Sequence, residues 1–259
     1  MKVGVFLASL RLDTREALKE VGKMGADGVQ LMVVGGDLDP DNLSRSGRED
    51  LVRFISTLGL EISALCGDLG GEGYRDPSDI EWRIDRTKQI FDLSLDLKTA
   101  IVTTHIGVIP EDENDRAWKT MQEALEELGS YAETRELCLA AETGPEEPGL
   151  MRRFLGTIKN EGIRINYDPA NLVMRGFDPL AGVDTLKDYI VHTHAKDGLD
   201  PEKGSEEVPL GKGDVPLDEY IKALREIGYE GYLTIERETG EDPVGDVRRA
   251  IRFLRDLIG

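Results

Sequence analysis

The chain has 259 residues, is 39% hydrophobic and 32% charged, and carries a formal net charge of −19 at pH 7. That length and apolar content support one large domain or two small ones. A surface this acidic repels phosphate backbones, and no dense Lys/Arg cluster offsets it, so nucleic acid is excluded as a partner; no run approaches the ~20 apolar residues of a membrane span.

The start, MKVGVFLASLRLD, is a short apolar run closed by Arg11 and Asp13, and reads as a strand rather than a signal peptide. Similar runs follow in order: DGVQLMVV from Asp27, LEISALC from Leu60, TAIVTTHIG from Thr99, LCLAAETG from Leu137, IRINYDPAN from Ile163, YIVHTHAKD from Tyr189 and GYLTIERETG from Gly231. Helical patterns separate them. Leu217, Tyr220, Leu224 and Ile227 share one face before the eighth run; Val244, Val247, Ile251, Leu254 and Ile258 do so after it. Gly162 and Gly228 stand where helices should stop. Eight strands alternating with helices predict a single-domain (β/α)8 TIM barrel over residues 1–259. An open doubly wound sheet usually carries a GxGxxG loop after its first strand, and none is present here. Residues Asp200 to Asp214 read as an irregular loop, and Trp82 and Trp118 as packing residues of helices. Cys66 and Cys138 lie in different apolar runs without a CxxC spacing, so free thiols and a cytoplasmic setting are expected.

Barrel enzymes draw their active sites from the C-terminal ends of strands. Here the fifth to eighth strands end at Glu142, Asp168, His194 and Glu236. Alternate strand residues share a face. With those four inward, Leu139, Ala141, Ile165, Tyr167, Val191, Thr193, Ala195, Leu233 and Ile235 all face the helices, so all four strands agree. Three carboxylates at ~4–5 Å repel by several kcal/mol per pair at an effective dielectric near ~20. A divalent cation relieves that. Three carboxylates and one imidazole suit Mn²⁺, Mg²⁺ or Co²⁺, with Zn²⁺ as an alternative, and leave positions open for substrate oxygens. In VHTHAKD, His192 lies deeper and reads as a core histidine. Lys196, nearer the rim, either meets a substrate oxygen or pairs with Asp197 or another acid. Asn171 either binds substrate or caps a turn; His105 and Cys66 are further candidates for the pocket wall. Arg237 alternates away from Glu236 and receives no role.

AAETG, NYDPAN, HTHAKD and IERETG, in this order, resemble the sugar phosphate isomerase/epimerase family, whose xylose isomerase-like barrels include ketose 3-epimerases. The resemblance covers nearly the whole chain. It implies one divalent metal, Mn²⁺ foremost, on Glu142, Asp168, His194 and Glu236, with Glu142 and Glu236 also exchanging a substrate proton. It further implies a small carbohydrate substrate and dimers or tetramers. The endonuclease IV-type branch, with three zinc ions, does not fit. Asn171 stands where a second histidine is needed, PLGKGD replaces its Asp-X-His, and the chain has three histidines in all.

The expected reaction is therefore sugar isomerisation or epimerisation by proton abstraction next to a carbonyl, through a metal-stabilised enediolate. The alternative is a lyase or hydrolase of 3-keto-glycosides, which shares the first step. A third reading, from another class, is a carbohydrate-binding protein without turnover.

Overall fold

A computed structural model describes residues 1–259. Eight parallel strands close into a barrel: Lys2–Phe6, Gly28–Met32, Glu61–Cys66, Ile101–Thr104, Cys138–Glu142, Ile163–Tyr167, Ile190–Ala195 and Tyr232–Ile235. Each falls within one of the eight apolar runs. Each also pairs with its successor in sequence, and Lys2 lies opposite Tyr232 where the first strand meets the eighth. The fold is the predicted single-domain TIM barrel.

Helices fill the intervals. Pro243–Ile258 turns Val247, Ala250, Ile251 and Leu254 inward, and Leu217–Glu226 buries Leu217, Tyr220, Ile221 and Leu224. Side chains of Asp13, Ser44, Asp115 and Asp178 accept hydrogen bonds from first-turn N–H groups, which fixes where four helices begin. Leu139, Ala141, Ile165, Tyr167, Leu233 and Ile235 are buried in the apolar layer between strands and helices, as the alternation required. No helix is long and apolar enough to cross a membrane.

Two expectations change. The helix before the sixth strand spans Pro148–Leu155 and stops well short of Gly162. Gly162 has another cause: a Cβ there would lie 2.0 Å from the Gly129 carbonyl oxygen, so only glycine lets the two backbones approach. Trp82 is 55% exposed rather than packed, whereas Trp118 is buried edge-on against Phe154. The stretch from Asp200 to Asp214 is the loop expected, but it carries two short elements. Pro201–Lys203 form a 3-10 turn, and Glu207–Val208 pair antiparallel with Asp197–Gly198.

Buried Asp197 organises that stretch. Its two carboxylate oxygens accept from the N–H groups of Gly198, Gly211, Gly213 and Val215 at 2.8–3.1 Å. In D197N one oxygen becomes an amide that faces backbone donors. We expect a loss of about 3 kcal/mol of stability, read by urea denaturation. A loss below about 0.5 kcal/mol contradicts the assignment.

Candidate metal centre and active site

Four strands deliver one side chain each to the barrel mouth. Glu142 is the last residue of the fifth strand and Asp168 follows the sixth; His194 lies in the seventh and Glu236 follows the eighth. All four are buried, and one ligand atom from each lies within 4.8 Å of the others. His194 Nδ1 stands 3.4 Å from Glu236 Oε2, 3.6 Å from Glu142 Oε1 and 3.7 Å from Asp168 Oδ2.

Each group is held in place locally. In DPAN, Asp168 caps the helix Pro169–Val173, and its Oδ1 accepts from the N–H groups of Ala170 and Asn171. Thr143 locks the same turn, accepting from the Asp168 N–H at 2.7 Å and donating to the Asp168 carbonyl at 3.0 Å. The other carboxylate oxygen, Oδ2, is left aimed at the centre. Glu142 Oε1 accepts from Asn171 Nδ2 at 3.1 Å, and Oε2 from Asn166 Nδ2 at 3.0 Å.

Asp168 Oδ2 and His194 Nδ1 are buried without a hydrogen-bond partner. Burying such atoms unsatisfied is costly. Both point into the same four-residue cluster, the arrangement a cation requires. The charge count agrees with a cation. Lys196 is buried, with Nζ 2.9 Å from Glu236 Oε2, 2.9 Å from Glu238 Oε2 and 3.5 Å from Asp168 Oδ2. Three negative charges from the candidate acidic ligands exceed the one positive charge of Lys196, which Glu238 also shares, so a cation would relieve the repulsion that remains. Burial works against the Lys196 ammonium, but Asp168, Glu236, Glu238 and Glu142 outweigh it and raise its pKa. Burial likewise opposes the Glu236 carboxylate, yet His194 and Lys196 hold its pKa below the ordinary value. Of the two sequence readings of Lys196, the ion pair describes its contacts; its partners are Glu236, Asp168 and Glu238 rather than Asp197.

The sequence profile of the xylose isomerase-like TIM barrel family matches residues 18–257. The chain belongs to that family. It is 23% identical to the fructoselysine 3-epimerase of Escherichia coli O157:H7, over 100% of this chain and 98% of that one. It is 26% identical to the inosose dehydratase of Clostridium perfringens, over 50% of each. The crystal structure of a xylose isomerase domain protein from Planctomyces limnophilus superposes with a TM-score of 0.85 at 24% identity, covering 99% of this chain and 96% of that one.

In this xylose isomerase-like barrel a buried polar layer lies beneath the four candidate ligands. Thr103 donates to the Leu65 carbonyl and accepts from Gln30 Nε2 at 2.8 Å, which turns Gln30 Oε1 toward His194 Nε2 at 3.0 Å. Without a cation, burial opposes the charged ring but Glu236, Glu142 and Asp168 raise the His194 pKa well above the ordinary value; in the neutral form a cation would require, the proton sits on Nε2 toward Gln30 and the Nδ1 lone pair faces the centre. His192 is the core histidine anticipated. It donates from Nδ1 to Asn166 Oδ1 at 2.7 Å and accepts at Nε2 from Thr234 at 3.0 Å. That contact orients the Asn166 amide so that its Nδ2 reaches Glu142. Burial keeps His192 neutral, with a pKa well below the ordinary value.

Gln30, Asn166, Thr143 and Thr234 were not singled out from sequence. Asn166 and Thr234 were within reach, because the alternation that turned Asp168 and Glu236 inward also turns the residues two before them. Gln30 showed itself only as one polar residue in an apolar run. Replacing it by leucine leaves the His194 Nε2–H without an acceptor. Q30L is expected to weaken Mn²⁺ binding about 10–100-fold by titration calorimetry, with all four candidate ligands intact. Unchanged affinity would remove Gln30 from the site.

The remaining wall candidates divide. His105 lies on the cavity wall, with Nδ1 2.9 Å from Asp68 Oδ2 and Nε2 3.6 Å from Glu142 Oε1. The Asp68 hydrogen bond and the Glu142 charge raise its pKa to about 9, against partial burial. Asn171 lines the mouth and clamps Glu142. Cys66 is buried at the end of its strand, outside the residues lining the mouth, and burial pushes its thiol up to about 12. Arg237 serves the frame: it pairs with Glu207 at 2.7 Å and Asp246 at 2.9 Å.

Proposed function

We propose that this protein is a divalent-metal-dependent isomerase or epimerase of a keto-sugar, with Glu142, Asp168, His194 and Glu236 as ligands. The observation that carries this reading is the pair of unpartnered atoms, Asp168 Oδ2 and His194 Nδ1, flanked by two glutamates from the fifth and eighth strands. The oxygen-rich donor set favours Mn²⁺, with Mg²⁺, Co²⁺ or Zn²⁺ as alternatives. When bound, such an ion acts as a Lewis acid on a carbonyl and acidifies the adjacent C–H.

The chain's own groups then move the proton. Glu142 and Glu236 approach the mouth from different sides, so one removes a proton from one face and the other returns it to the opposite face. Asn166 and Asn171 keep the Glu142 carboxylate oriented throughout. Lys196 stays compensated when Glu236 takes up a proton, because Asp168 and Glu238 remain beside it. Asp168 and His194, whose outer atoms are committed to Ala170, Asn171 and Gln30, serve only as ligands.

The test is incubation of the Mn²⁺-loaded protein with free ketoses in deuterated water. Deuterium is expected in recovered sugar at the carbon next to the carbonyl; absence of exchange from every ketose tried, with metal bound, counts against the reading. The second reading is elimination of a group β to the carbonyl, from a 3-keto-glycoside or a keto-polyol. It is favoured by the His105–Asp68 pair beside Glu142, which places an acid near a leaving group, and by the dehydratase relative. An unsaturated product or a released aglycone identifies it. Two free thiols, Cys66 and Cys138, fit a cytoplasmic setting.

A further inference from the structure

The mouth divides into two lobes that meet at His105 and Gly144. One, a cavity of about 410 Å³, carries Asn171, Met174, Arg175 and Ser205. The other, of about 350 Å³, carries Asp68, Glu142 and Glu146 between glycine backbones. We propose that this second lobe is the subsite for an uncharged, hydroxyl-bearing arm of the substrate, and that Glu146 is the group that receives it. The proposal rests on the keto-sugar reading above.

Glu146 lies outside the metal ligand set and is 8% exposed, and its Oε2 is buried without a hydrogen-bond partner. No cation pairs with it. Desolvation pushes the carboxyl up to about 7, against its own backbone N–H and His105, so a neutral acid is populated at neutral pH. Such a group gains from a hydroxyl that can both donate and accept.

The facing wall is backbone. The loops at Gly73 and Gly107 cross there, joined by the Tyr74 N–H donating to the Ile106 carbonyl at 2.9 Å. Both glycines have positive φ, and a Cβ on either would fall 2.2–2.3 Å from the other loop's backbone. The wall therefore holds its shape and offers no positive charge. Asp68 and Glu142 face the same space, and its one cationic group, His105, is already bonded to Asp68. A phosphate entering here meets carboxylates. Glu142 belongs to both the lobe and the metal cluster, so the arm held there is attached to the reacting carbons.

Saturation-transfer NMR on the Mg²⁺-loaded protein tests this with D-fructose, D-psicose and fructose 1,6-bisphosphate, which cannot avoid presenting phosphate to one lobe or the other. Both neutral ketoses are expected to bind and the bisphosphate to bind at least ~10-fold more weakly. E146A should weaken the ketoses about tenfold, E146Q should retain them within about threefold, and E146A should melt no lower than wild type, since an unpartnered buried carboxyl is lost. The proposal is overturned if E146A binds within about twofold of wild type, if the bisphosphate binds as tightly as fructose, or if E146A lowers the melting temperature without changing binding. If neither ketose binds the loaded wild-type protein, the keto-sugar reading fails and the subsite goes with it.

Discussion

Mn²⁺ is expected to raise the melting temperature of the wild-type protein, and the D168N substitution to abolish that rise. At a free metal concentration ~100 times Kd, binding to the folded state alone contributes about 2.7 kcal/mol, or about 5–10 °C for a domain of this size. The choice of asparagine is deliberate. Asp168 Oδ1 caps the following helix through Ala170 and Asn171, and an amide oxygen can keep those bonds, so the metal-free variant should melt close to wild type. What it loses is the Oδ2 lone pair and one of the three charges facing His194 Nδ1. Calorimetric scans of both proteins with and without Mn²⁺, and after chelation, give the comparison. A variant that is still stabilised by the metal removes Asp168 from the ligand set. A wild type unmoved by Mn²⁺, Mg²⁺, Co²⁺ and Zn²⁺ ends the case for a metal centre.

The second large effect is on proton exchange. E142Q and E236Q should each slow interconversion of two ketose epimers by about 10²–10⁴-fold, the usual contribution of a positioned acid–base group. Two bases on two faces make a sharper statement. Each epimer presents its proton to one glutamate, so each variant should keep deuterium exchange from one epimer and lose it from the other. The two variants should show opposite preferences. E236Q leaves Lys196 facing Asp168 and Glu238, so its ammonium keeps partners and the fold should survive. Metal content must be measured in both, because each glutamate is also a proposed ligand. Interconversion within about tenfold of wild type, with metal bound, rules out the two-base scheme.

Asp168 and Glu236 were legible in the sequence because strand alternation is local: a polar residue at the end of an apolar run must take the face its neighbours leave. The same rule, carried two residues back, leads to Asn166 and Thr234. Gln30 lay beyond it, since its partners Thr103 and His194 come from the fourth and seventh strands and meet it only across the closed barrel. The strand register also shifts between Val29 and Gln30 and between Ile165 and Asn166, beside two of the overlooked residues. A bulge depends on how two strands pack, so no single run announces it.

Sequence alone determined the eight strands, their order, the single barrel and the four residues at its mouth. Each follows from a backbone period of two or 3.6 and the need to hide apolar faces. Tertiary structure decided which nitrogen of His194 faces the centre, which acids Lys196 pairs with, how Asp197 orders its loop, and that Glu146 is buried without a partner. Those depend on distances between side chains remote along the chain, which exist only once the barrel has closed and its registers are set.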